Sequence, residues 1–434
     1  MVHKFNYPPG YADKCAAVLD TALHHVPSYR GWRASDPGPD APLDARFAAL
    51  PHLTKADMRA GFPTGLMPES MDLRAGLASE EVEYTFTSGT SADKVVNIWN
   101  QHWWDASEAA SWQLNSHLAV LQYPQRQAKL ASSLNVGINC EEDLPTGHRT
   151  LGDTLYLNEK TSTLQWQPRH LRRMVDELAA FRPVILEANP SLLARLAWWA
   201  IDNGAAVYSP DVIVFTFELP SPMHLAAIRR VFDSALVSSY GTTETGFVME
   251  SCEYGLLHQN TPTCRIDFEP LKDEFGGPDL GRIFVTTFGN PWNVIVRFDV
   301  GDLVRLHATS SCACGRAEGL IADAIEGRAS NCTFTVAGGL VTTMALDDAL
   351  AAVGALRDYR LVQSERSHYE LTAVLSPDAD ISSVSRELKD ILGVVYGATG
   401  QFDVVIVDDI LPGPAGKFRR METGFEFDER GLTR

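Results

Sequence analysis

The chain has 434 residues, 45% of them apolar and 21% charged, and a formal net charge of −18. Its length suits roughly two to four packing units, and its acidity excludes a duplex nucleic-acid partner, which needs a basic face to neutralise phosphates. No run approaches ~18 uninterrupted apolar residues, the N-terminus has no apolar signal core, and seven cysteines make no even disulfide framework, so a reduced, cytoplasmic protein without a membrane segment is expected.

Residues 28–45, rich in Pro, Gly and Asp, predict a surface excursion between two helical pieces. Thr54 then reads as a helix N-cap, with Asp57 in the first turn. In Thr85-Phe86-Thr87-Ser88-Gly89-Thr90-Ser91-Ala92-Asp93-Lys94, small hydroxylated residues surround a glycine. Such a loop can wrap a phosphate with backbone N–H and side-chain O–H groups. It lacks the Gly-Lys-Ser/Thr of a Walker A loop, and the same composition suits an ordinary turn. Trp99, Trp103, Trp104 and Trp112 follow at near-helical spacing; packing is the simpler role, an aromatic pocket lining the alternative.

The middle of the chain alternates strand and helix: strands at 183–188, 211–216 and 235–239, helices at 190–203 and 222–232. This rhythm predicts an α/β fold with a parallel or mixed sheet flanked by helices. Ligands of such sheets bind at the loops leaving the strand C-termini. The last of these loops begins Tyr240-Gly241-Thr242-Thr243-Glu244. Its glycine allows close backbone approach, its aromatic ring can stack on a base, and its carboxylate can hold Mg2+. A plain strand-end turn is the competing reading. In Arg297-Phe298-Asp299-Val300-Gly301-Asp302, the aspartate beyond the glycine suits both hydroxyls of a ribose.

Cys252, His258, Cys312 and Cys314 form a set suited to tetrahedral Zn2+. Their spacing is wider than in a common zinc finger, buried cysteines without metal are the alternative, and Cys264 is a rival ligand. Cys15, Cys140 and Cys332 read as free thiols.

After Gly327-Arg328 the texture changes. Residues 369–375 and 402–407 alternate as strands, and Ile381, Val384, Leu388, Ile391, Leu392 and Val395 share one helical stripe. A large domain over 1–327 and a small, mobile α+β lid over 328–434 are expected, joined by Arg328-Ala329-Ser330-Asn331. Lys417 follows Pro412-Gly413-Pro414-Ala415-Gly416 and sits on an exposed loop, with a solvated basic tail as the alternative. With Arg328, Arg419 and Arg420 it supplies the local positive charge that an anionic nucleotide needs against an acidic field.

In this order and spacing the four motifs resemble those of the adenylate-forming superfamily of acyl-CoA synthetases, luciferases and adenylation domains, and most of all its phenylacetate–coenzyme A ligase branch. The resemblance runs from about Leu50 to Arg420, and Phe215-Thr216-Phe217-Glu218, Ile325-Glu326-Gly327-Arg328 and the glycine loop with acidic helix start at 338–348 extend it. It implies that Thr87, Ser88, Gly89, Thr90 and Ser91 hold the β- and γ-phosphates of ATP, with Thr90 part of the catalytic set. Phe217, Glu218, Tyr240 and Gly241 would enclose adenine, with Ser239, Thr242 and Thr243 as neighbouring nucleotide contacts. Glu244 would coordinate Mg2+, Asp302 would grip the ribose with Arg328 nearby, and Lys417 would reach the carboxylate and α-phosphate. Related proteins carry a Cys/His cluster at the positions of Cys252, His258, Cys312 and Cys314, which implies a structural zinc stapling the Glu244 loop to the segment after Asp302.

The implied reaction is ATP-dependent activation of a carboxylic acid, aromatic by the branch, to acyl-AMP, followed by transfer to coenzyme A. Transfer to a carrier-protein pantetheine or an amine is the alternative. A non-catalytic nucleotide-binding relative is the third reading, against which the retention of both Glu244 and Lys417 speaks. A homodimer is the default assembly. The chain departs from the pattern at Asp93-Lys94, where Lys-Pro is common, at Thr216-Phe217, where Gly-Ala is common, and at the hinge, which has no acidic residue after Arg328. Residues 134–165, where part of the acyl pocket is expected, show little of the branch's pattern.

Overall fold

The computed structural model describes residues 5–86, 95–122, 124–132, 140–413 and 418–433. The chain packs as two units. The first comprises Met1–Ala119, Ser239–Pro270 and Gly281–Asp323, the second Val120–Ser238, Leu271–Leu280 and Ala324–Arg434.

The second unit contains the expected parallel sheet. Gln127–Leu130, Ile185–Ala188, Val212–Phe215 and the start of Ala235–Thr242 pair in that order, with Ile185 opposite Val212 and Val212 opposite Ala235. Val212–Phe215 is buried at every position because helices cover both faces of such a sheet. Pro190–Asp202 is helical because Pro190 sits in the first turn and the Asn189 side chain caps the Leu192 amide. Its Leu192, Leu193 and Leu196 pack with Met174 and Leu178 of helix Pro168–Phe181 against Leu186, Ile213 and Phe215. Each such buried leucine contributes roughly 2 kcal/mol.

The C-terminal part of this unit is the expected small α+β structure. Its four-stranded sheet runs Gln401–Ile406, His368–Leu375, Leu356–Glu365, Met421–Thr423, antiparallel at the centre and parallel at both edges. Helix Ile381–Tyr396 lays Val384, Leu388, Leu392 and Tyr396 on the core. Ile381 departs from the expected stripe and is 56% exposed. It is the first helical residue after the Asp380 cap and lies one turn before the packed face begins.

The first unit is built on antiparallel strands, among them Gly246–Ser251, Leu257–Gln259 and Cys264–Pro270 paired with Leu280–Thr287. The Thr54 expectation holds as a full capping box with Asp57, opening helix Lys55–Gly61. The 28–45 stretch is more than a surface excursion. Pro27–Ala34 is a 3-10 helix whose Tyr29 is fully buried, its hydroxyl donating to the Val294 carbonyl (2.9 Å) and accepting from the Val296 amide (3.0 Å). Trp103 and Trp112 are core residues of helix Gln101–Trp112, whereas half-buried Trp99 and Trp104 form an aromatic cluster with buried Phe247. Among the described residues no helix is long and apolar enough to cross a membrane.

Candidate active site

In the first unit the site begins at a tight hairpin. Tyr240 to Glu244 was expected to be a loop, but the strand runs on to Thr242 and turns back into Gly246–Ser251. Glycine masked this continuation in the sequence. A Cβ on Gly241 would lie 2.1 Å from the Gly246 carbonyl oxygen, so glycine is required by the hairpin's own closure at the register shift between Tyr240 and Gly241. Thr242 and Thr245 then close the turn, the Thr245 amide donating to both the Thr242 carbonyl and hydroxyl.

The turn places Glu244 inward, only 3% exposed. Its Oε1 is buried without a hydrogen-bond partner, and Lys55 Nζ lies 3.9 Å from it. A buried carboxylate oxygen left without a donor is costly, and coordination by a hard cation such as Mg2+ is a chemical solution this geometry permits. Lys55 was visible in the sequence only as the residue after a helix cap. What brings it to Glu244 is tertiary, and no local signal marks it.

Tyr240 Oη donates to Asp302 Oδ2 at 2.7 Å. Asp302 lies within strand Phe298–Leu306, where Gly301 (φ +82°) supplies the left-handed turn before it. Ser239, on the same strand as Tyr240, donates to the Glu250 carboxylate at 2.7 Å. Its hydroxyl is thereby committed to a fully buried partner.

The four metal-binding candidates also lie in the first unit. Cys252 and His258 flank a hairpin, Cys312 and Cys314 a turn closed by the Gly315 amide on the Cys312 carbonyl. One donor atom from each lies within 4.8 Å of all the others. Cys252 Sγ is 3.7 Å from Cys312 Sγ, and Cys314 Sγ is 3.4 Å from His258 Nε2. Tetrahedral zinc demands ligand–ligand edges of about 3.8 Å (S–S) and 3.6 Å (S–N), which these distances meet. Amides of Cys314 and Arg316 point at Cys312 Sγ and Cys314 Sγ (3.5 and 3.4 Å). Burial opposes ionisation of Cys314, but the Arg316 amide and guanidinium outweigh it and hold the thiol below its usual range. Burial pushes the His258 imidazole down to about 4, so it is neutral at physiological pH and its nitrogen is free to ligate. The Arg316–Glu253 ion pair (3.0 Å) ties the two arms together. Cys264 is not part of the cluster; its thiol faces the Val248 and Asn260 carbonyls.

The second unit holds the other group. Phe217 follows strand Val212–Phe215 with φ +71°, a conformation aromatic residues rarely adopt, and its ring is 45% exposed. The Glu218 carboxylate accepts from Ser191 Oγ (2.7 Å) and from the Phe418 amide (2.8 Å). Arg328 ends strand Ile321–Arg328 and is exposed. Thr87, Ser88, Gly89, Thr90, Ser91, Asp93, Lys94 and Lys417 lie outside the described residues. The unusual 140–165 region is organised by Arg149, 1% exposed, whose guanidinium binds Glu177 and the Leu144 carbonyl; Glu177 comes from helix Pro168–Phe181.

The fold is α/β, with a large mixed sheet flanked by helices and a small C-terminal sheet, and it is similar to that of solved ligases. The chain superposes on 2-hydroxyisobutyryl-CoA ligase, solved in its postadenylation state with 2-HIB-AMP, with a TM-score of 0.72 and 17% identity over 97% of this chain and 90% of that one. It also superposes on the amide bond synthetase McbA of Marinactinospora thermotolerans, with a TM-score of 0.50 and 17% identity over 81% of this chain and 69% of that one. At these identities the likeness is one of fold. In sequence the chain is 23% identical to protein CapK of Staphylococcus aureus over 253 residues, 58% of this chain. The match spans about half, 55%, of CapK. No protein-family model matches the sequence.

Proposed function

We propose that the protein activates a carboxylic acid with ATP and passes the acyl group to coenzyme A. The observation that carries this reading is the buried Glu244 carboxylate at the hairpin turn, its Oε1 without a hydrogen-bond donor and Lys55 nearby, on a fold shared with a CoA ligase solved with its acyl-AMP. In the first step a carboxylate oxygen attacks the α-phosphorus and the bond to the β-phosphate breaks, giving acyl-AMP and pyrophosphate. In the second the sulfur of coenzyme A attacks the acyl carbon and AMP leaves.

Each residue's part follows from charge. The attack brings two anions together, so stabilising the transferring phosphate is the main catalytic task. Thr87 to Ser91, with Thr90 foremost, would cradle the β- and γ-phosphates, and Thr242 and Thr243 would border them. Mg2+ held by Glu244 would neutralise charge as the phosphates separate, with Lys55 adding a fixed ammonium. Asp302, oriented by Tyr240, would take the ribose hydroxyls. Phe217 offers its exposed ring to adenine, and Arg328 and Lys417 belong to a C-terminal domain over 328–434 that delivers Lys417 to the α-phosphate. Cys252, His258, Cys312 and Cys314 would hold a structural zinc. All four positions are filled by protein, so its contribution is to brace the hairpin that carries Tyr240 and Glu244.

An aromatic acid is the proposed substrate class. The branch resemblance supports it, as does the Trp99–Trp104–Phe247 cluster, since Phe247 lies three residues beyond Glu244. A second acceptor is favoured by the fold shared with an amide bond synthetase: the same first step followed by transfer to an amine or a carrier protein.

The test is acid-dependent ATP–pyrophosphate exchange over a panel of aromatic and aliphatic acids, with and without coenzyme A. Exchange abolished by Lys417→Ala while ATP binding survives, and a thioester formed only with coenzyme A, is the expected result. Acyl-AMP that ignores coenzyme A and reacts with amines would replace the acceptor. No exchange with any acid would overturn the adenylation reading.

A further inference from the structure

Phe217-Glu218 matches a motif expected to enclose adenine, and the Glu218 carboxylate is bonded to Ser191 and the Phe418 amide. We propose that Glu218 is a positioning residue that fixes the polypeptide at Phe418, the residue that follows Lys417 in sequence, for the adenylation step. This rests on the adenylation reading above.

The geometry is a two-point clamp within the second unit. Glu218 Oε1 accepts the Phe418 amide at 2.8 Å, and its Oε2 is held by Ser191 Oγ at 2.7 Å from the first turn of helix Pro190–Asp202. One residue on, the Leu219 carbonyl accepts from the Arg420 guanidinium at 2.9 Å. Consecutive residues 218 and 219 thus hold alternate residues 418 and 420. Arg420 in turn lies 3.5 Å from the buried Asp347, whose other oxygen accepts from Tyr359 Oη at 2.6 Å. The Phe418 ring packs against the apolar core of the parallel sheet. Farther out, Arg195–Asp409 (2.6 Å) and Arg357–Asp202 hold the flanks.

Apolar packing alone tolerates sliding, whereas a charge-assisted hydrogen bond to a backbone amide is short and directional. The amide that Glu218 grips belongs to the peptide plane joining Lys417 to Phe418. The left-handed φ of Phe217 (+71°) serves the same end, because it separates the direction of an exposed ring from that of the next carboxylate. One dipeptide then offers a surface to the nucleotide and a hold on the chain at Phe418.

The test compares full-length wild type, Glu218→Ala, Glu218→Gln and Ser191→Ala. Hydrogen–deuterium exchange of peptides covering 411–421 reads the clamp without any activity. Acid-dependent pyrophosphate exchange reads its catalytic use. In Glu218→Ala the Phe418 amide should exchange about tenfold faster or more, the equivalent of one lost charge-assisted hydrogen bond. The turnover number should fall by a similar factor with KM for ATP little changed. Glu218→Gln, which keeps an acceptor, should restore most of both, and Ser191→Ala should give a milder form. Unchanged amide exchange, or a loss confined to KM for ATP, would overturn the proposal and leave Glu218 as part of the adenine wall. If wild type activates no acid, the adenylation reading falls while the exchange data still decide the clamp.

Discussion

Tyr240 and Asp302, 62 positions apart, are joined by a 2.7 Å hydrogen bond from phenol to carboxylate. The bond fixes the carboxylate on one strand from the hairpin of another, so the residue proposed to hold ribose is aimed by the residue proposed to border adenine. Tyr240→Phe keeps the ring and removes the bond. We expect KM for ATP to rise about tenfold, the scale of a hydrogen bond to a charged group, with the melting temperature nearly unchanged. A fall in turnover with KM unaltered would count against the ribose role.

The Cys252–Cys312 and Cys314–His258 distances already match a tetrahedral metal site. Purified protein should carry about one equivalent of zinc by elemental analysis, and a Cys312→Ser/Cys314→Ser variant should carry none and melt at lower temperature. Metal-free wild type of equal stability would refute a structural zinc.

Acid should weaken the first unit at Asp36. The Arg46 guanidinium binds both Asp36 oxygens (3.0 and 2.8 Å) and holds its carboxyl below the usual range. A carboxyl with a depressed folded-state pKa binds fewer protons when folded. Its contribution is therefore complete above the ordinary carboxyl pKa and disappears as pH falls through the lower, folded value. Asp36→Asn should cost roughly 2 kcal/mol at pH 7 and progressively less in denaturant titrations below pH 4. A cost independent of pH would refute the ion pair as its source.

Arg149 lies buried against Glu177, with Asp143 3.9 Å from its Nε. Replacing it with methionine leaves Asp143 and Glu177 with only the Arg173 guanidinium, at 3.4 and 3.9 Å; losing one partner of a buried pair typically costs about 3–5 kcal/mol, and Arg173 should hold the loss toward the lower figure. Arg149→Met/Glu177→Met should recover part of that loss, and the non-additivity of the cycle measures the coupling. Additive effects would show that the pair is not coupled.

Much of the fold was legible before any coordinates. The strand runs at 183–188 and 211–216, the proline-opened helix at Pro190 and the Thr54 cap with Asp57 are local patterns; the strands formed within those runs, at Ile185–Ala188 and Val212–Phe215, and the helix and the cap formed at Pro190 and Thr54. Errors arose where a local cue had a tertiary cause. Gly241 suggested a loop, but the approach of the Gly246 carbonyl in a continuing strand requires it. The stretch around Tyr29 read as an excursion because its anchor, Val294 and Val296, is more than 260 positions away.

The candidate site divides the same way. The sequence by itself determined which chemistry-bearing residues exist and in what order: Tyr240, Glu244, Asp302, the Cys/His set and Lys417. Residue type and motif spacing are covalent properties of the chain. Only the tertiary structure decided that Lys55 stands beside Glu244, that Cys264 is excluded from the metal cluster, and that Glu218 grips the Phe418 amide. Those pairings depend on burial and hydrogen-bond satisfaction between segments far apart in sequence. Such costs and gains exist only once the strands have paired.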